Sequence, residues 1–149
     1  MRPLALLLFL AVAGCDTMLS DGPEAIVTRQ LGVFLPSQTA PLTVPDTVTV
    51  DELFGAVVTT SGGGCVSGAG GIERERESQA VTLRPYDVSL VPVNGACPLP
   101  LLEFPRAVVV RFSEPGRAVV RAVGRDGFGP DADELVVERT VVVVPRGGR

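Results

Sequence analysis

The sequence predicts an all-β domain, a sandwich or barrel of about seven to eight strands, and two observations carry that reading. Seventeen glycines and thirteen prolines are spread along 149 residues and separate short valine-rich runs, the spacing of turns between short strands. Past residue 25, several runs alternate apolar and polar residues with the period of a half-buried strand, and none repeats at helical spacing.

Taken in order, residues 25–35 form a plausible first strand, ended by Pro36. The runs 42–44 and 47–50 flank Pro45, and proline suits an edge position or a strand crossing between sheets. Phe54, Ala56 and Val58 alternate with Gly55, Val57 and Thr59, a strand that leads into the loop Ser61-Gly62-Gly63-Gly64-Cys65. Residues 72–93 read as three short strands broken near Ser78 and Pro85, and residues 96–105 as a proline-broken loop carrying Cys97. In 106–112, Val108, Val110 and Phe112 share a face. Pro115-Gly116 fits a type II turn, whose hand splays a tight hairpin, so it reads as a corner between sheets. Ala118, Val120 and Ala122 then point inward, with Arg117 and Arg121 outward. A long loop over 124–133 precedes the last strand, 134–144, where Leu135, Val137, Val141 and Val143 share a face with Arg139. A bulge near Arg139 would re-aim that side chain outward.

The first residues have a separate logic. Met1-Arg2-Pro3 is followed by an apolar run, Leu4 to Val12, and then Ala13-Gly14-Cys15. A charged start, a short apolar stretch and small residues at a cleavage point are the marks of a secretory signal peptide. The run is too short for a spanning helix, which needs about 20 apolar residues. Val12-Ala13-Gly14-Cys15 resembles the lipobox of bacterial lipoproteins. That resemblance implies removal of residues 1–14, lipid on Cys15, and a protein held at a bacterial membrane, facing the periplasm or the exterior. Residues 16–24 then read as a tether, making 15–24 the lipidated cysteine and its linker, and 25–149 the β domain.

Composition narrows the function. Seventeen acidic residues against thirteen Lys plus Arg give a net charge of −4, which argues against nucleic acid as a partner and against electrostatic adhesion to anionic lipid. The chain has no histidine, no lysine and no tryptophan. Histidine is the usual general base and metal ligand near neutral pH, and lysine supplies Schiff-base and phosphate chemistry, so a non-catalytic protein without a cofactor is expected. Once Cys15 is lipidated, Cys65 and Cys97 remain as a pair, which outside the cytoplasm oxidises to a disulfide.

The strand number, the Pro115-Gly116 corner and a terminal strand after a long loop resemble an immunoglobulin-like antiparallel β-sandwich. The run from Pro115-Gly116 to Gly124-Arg125-Asp126 is similar to that of small bacterial envelope lipoproteins with such modules, although the tyrosine corner and core tryptophan of antibody domains are missing. This resemblance implies a fold and no activity.

Two groups of charges carry alternative readings. Glu73-Arg74-Glu75-Arg76-Glu77, as a strand, puts three carboxylates on one face. That row suits either a glycosidase pair or a charged edge strand that discourages edge-to-edge pairing. Asp126, Asp131, Asp133 and Glu134 could offer oxygen ligands to calcium or simply solvate a hairpin loop. In that loop Phe128 is an aromatic set among aspartates, a candidate anchor for a protein partner in the envelope. The leading expectation is a membrane-tethered interaction or structural module; a carboxylate-based glycan hydrolase and a small-ligand-binding lipoprotein are the alternatives.

Overall fold

The structure, a computed structural model, describes residues 25–35, 40–93, 96–97, 100–129 and 131–147. The residues expected to form a signal peptide (1–14), Cys15, the expected tether (16–24) and Pro36 lie outside these residues. Among the described residues there is no helix. Ten strands form one hydrogen-bonded mixed sheet: β1 Ala25–Leu31, β2 Val33–Phe34, β3 Leu42–Thr43, β4 Thr47–Thr49, β5 Phe54–Gly62, β6 Val66–Arg76, β7 Ala80–Pro92, β8 Leu102–Val110, β9 Gly116–Asp126 and β10 Glu134–Val144.

The sheet curls on itself as a half-barrel. One side runs β6–β7–β9–β10–β4, the other β3–β5–β8, and β2 joins them by pairing with both β9 and β5. The first strand makes this closure possible. β1 runs antiparallel to β7, the chain passes through Gly32, and β2 continues parallel to β9. Gly32 donates to Pro85 O at 2.8 Å, and its carbonyl accepts from Arg125 N–H at 2.9 Å. A Cβ at Gly32 would lie 2.4 Å from Thr60 Cγ2, so only glycine passes there.

The core fills the concave side with Phe34, Leu42, Val58, Leu83, Val120 and Val141 among its fully buried members. Phe54 and Phe112 add a tilted aromatic pair, with ring centroids 5.9 Å apart. Phase alternation in β5, β7 and β9 selects Phe54, Val58, Leu83 and Val120 among these residues, as the period of two requires.

Several sequence expectations change. Residues 72–93 are not three strands: β6 and β7 form one long hairpin turned near Ser78, and Pro85 lies inside β7. Pro85 stands where the partner of β7 changes from β9, paired to residues 80–83, to β1, paired to 86–92. Its carbonyl is used there by Gly32. The loop expected over 96–105 gives way at Leu102 to β8, whose pairing with β5 includes Pro105; an edge strand tolerates proline. The loop at 124–133 is shorter, because β9 continues to Asp126. Gly124 is a packing glycine, whose Cβ would meet the Phe34 ring at 2.7 Å. No bulge occurs at Arg139, since β10 stays in register with β9 from Glu134 to Val143. β4 covers only Val142–Val144 on the far side of β10, so Arg139 reaches solvent past an open edge. The Pro115-Gly116 corner does carry the chain from β8 to β9, which do not pair, with Gly116 at φ +132°.

Candidate functional site

The concave interior contains a charged group that the sequence reading missed. Asp87 on β7, 1% exposed, faces Arg106 on β8 and Thr60 on β5. Thr60 Oγ1 donates to Asp87 Oδ1 at 2.8 Å, Arg106 Nη1 donates to Thr60 Oγ1 at 2.9 Å, and Arg106 Nη2 donates to the same Asp87 oxygen. Each of the three sits on the inward phase of its strand. Charges that break an apolar inward phase, Asp87 beside Leu83 and Arg106 beside Val108 and Val110, were the available signal. Arg139 breaks phase in the same way yet escapes to solvent, so the signal needs the third dimension to be read.

Beyond this layer the half-barrel is open along one side. Among the described residues β6 pairs only with β7, and β8 only with β5. The free edges of β6 and β8 border a groove of about 650 Å³ lined by Ile72, Arg74, Arg106, Val108 and Val109, with Ala69, Gly71 and Ala107. Both strands run the same way along this seam. At one end Arg74 Nη1 donates to Val109 O at 2.8 Å. At the other, Cys65 and Cys97, which precede β6 and β8 respectively, form a disulfide with Cα atoms 4.8 Å apart.

That disulfide end is also the mouth of the half-barrel. Phe128, half-exposed, lines a cleft of about 380 Å³ with Gln30, Gly63, Gly64, Val66 and Leu101. The aromatic is therefore not folded into the core.

The acidic strand lies on the convex face. Glu73 is held by Arg29 Nη2 at 3.0 Å and by the Tyr86 hydroxyl at 3.0 Å, and the Arg29 guanidinium stacks 3.8 Å from the Tyr86 ring centre. Glu75 lies opposite Thr82 on the same strand pair, and Glu77 closes the turn by donating its N–H to Ala80 O. Glu73 and Glu75 stand on the same strand and border a shallow hollow of about 380 Å³ with Arg74, Thr82 and Arg84, rather than facing each other across a cleft. Nearby, the hydrogen bond from Arg121 to Glu138, and then that carboxylate's charge, hold the Arg121 guanidinium above its ordinary pKa.

Asp126 N–H donates to Asp133 O at 2.9 Å across the hairpin, but no group of three or more His, Cys, Asp or Glu able to hold a metal occurs among the described residues. Glu134 turns instead to Arg84 at 3.2 Å. Compared with known proteins, the chain matches no family model, no curated protein and no solved structure.

Proposed function

We propose that this chain is an envelope lipoprotein, anchored to a bacterial membrane through lipid on Cys15, whose β domain is a non-catalytic interaction module. The observation that carries the reading is the open seam. Two long strands, β6 and β8, present unpaired edges to one another, and extended segments of partners add to such edges through main-chain hydrogen bonds. A long edge left open invites pairing with another chain, which proteins otherwise suppress. The proposed partner is a second envelope protein that lays an extended segment along the seam. The missing histidine and lysine and the pairing of Cys65 with Cys97 support the non-catalytic part of the reading. The immunoglobulin-like kinship belongs to the same proposal; the passage of β1–β2 from one half of the sheet to the other supports it.

A photo-crosslinker placed in turn at Arg74, Val109 and Val142 in living cells tests the module. We expect the same envelope protein, through one short contiguous segment, from positions 74 and 109 and not from 142. Capture from 142 alone contradicts the seam. Turnover of a glycan that disappears with Glu73→Gln or Glu75→Gln overturns the non-catalytic reading.

A further inference from the structure

The tip of the β1–β7 ribbon is apolar on both faces and lies beyond the core. Ile26 stands opposite Val91 and Val27 opposite Leu90, so one pair projects from each side of the ribbon. Burial on the inner face of β7 ends at Ser89, and past it Ile26 is 58% and Val27 65% exposed. Leu90 N–H donates to Cys65 O at 2.9 Å, which sets the disulfide loop beside the ribbon. The Phe128–Leu101 cleft adds a further apolar surface at this end. Exposed apolar side chains gathered at one end of a domain mark a contact surface, unlike scattered single residues.

The chain itself indicates what covers it. Ala25, paired with Pro92, is the first residue of the ribbon, and nine residues, Asp16 to Glu24, separate it from Cys15. Nine residues span at most about 30 Å fully stretched and average roughly 15–18 Å if flexible. If Cys15 carries lipid, the apolar tip is the part of the domain held nearest the bilayer. We propose that the ribbon tip and the Phe128 cleft rest in the interface of the same membrane that holds the lipid. The tip from Leu90 to Pro92 is about 10 Å long at about 3.3 Å per residue, similar to the 5–10 Å to which interfacial segments sink. Docking in this way fixes the domain's orientation and leaves the seam accessible from the side. With no lysine and with Asp126, Asp131 and Asp133 near Phe128, the contact is apolar and does not require anionic lipid.

This inference rests on the lipoprotein reading, and the test separates the two. The chain has no tryptophan, so one introduced indole reports one position. Full-length lipidated protein carrying Val27→Trp, Phe128→Trp or Leu53→Trp is purified from membranes and reconstituted in phosphatidylcholine vesicles with and without brominated acyl chains. Leu53 is 67% exposed and precedes β5 at the end away from the cleft, nine residues or roughly 30 Å along that strand. The expected result is blue-shifted emission, largely lost to bromine, at 27 and 128, with emission at 53 unchanged. Emission at 27 and 128 that is insensitive to bromine, or quenching at 53 equal to theirs, overturns the docking. If the mass of Cys15 shows acyl chains in that case, the anchor stands and only the docking falls. An unmodified Cys15 in the cell overturns both.

Discussion

Replacing Asp87 by Val leaves the Arg106 guanidinium in the interior without its counter-charge, and breaking a buried pair by removing one partner costs about 3–5 kcal/mol. Against a total stability of about 5–15 kcal/mol, that is a large fraction. Arg106→Met alone should destabilise by a similar amount, because Asp87 then loses its cation. Replacing both at once, Asp87→Val with Arg106→Met, should recover most of the loss, since well-packed apolar groups often match or exceed a buried ion pair. Urea midpoints of the four proteins check this; a double variant as unstable as the sum of the singles would show that the two side chains act independently. Only half of this pair was legible at the residue scale, where Arg106 breaks the inward phase of Val108 and Val110. Asp87 follows the lone tyrosine in a run that the sequence broke at Pro85, so its inward phase with Val81 and Leu83 could not be counted. Gly32 and Gly124 were equally opaque: each is required by a neighbour far away in sequence, Thr60 and Phe34.

Among the elements, the alternating strands were legible and their partners were not. Phe54, Ala56 and Val58, or Ala118, Val120 and Ala122, face the core as their phase required. The run through Pro85 was misread because proline ends strands only where its missing N–H is needed, and β7 changes partners there. The bulge assigned to Arg139 was unnecessary because an open sheet edge already lets the side chain out. The cysteine pairing was readable from thiol parity, but its role was not: Cys65 and Cys97 tie the starts of β6 and β8, the two edges of the seam. Two thiols should alkylate only after reduction. Cys65→Ser with Cys97→Ser should lower stability by roughly 2–4 kcal/mol, as expected for a loop of this length. The mouth end of β6 and β8 should then exchange amide hydrogens faster than the Arg74–Val109 end. Uniform protection along both strands in that variant would show that the disulfide does not hold the seam.

At the scale of the whole molecule, the curled sheet has three distinct faces: a charged convex face around Glu73, an open side between β6 and β8, and an apolar mouth where the chain enters. All-β character was legible from the spacing of glycine and proline. That the halves join through β2 into one sheet was not, because two residues carry the junction and their sequence, Val33-Phe34, resembles any other strand fragment. The functional account depends most on the proposed lipid at Cys15, which would place the mouth at a membrane and the seam within reach of envelope partners. Intact-mass analysis of protein extracted from cell membranes measures it directly. The account predicts a chain beginning at Cys15, lacking Met1 to Gly14 and heavier by a diacylglycerol and an amide-linked acyl chain. A freely soluble mature protein with an unmodified Cys15 would contradict it.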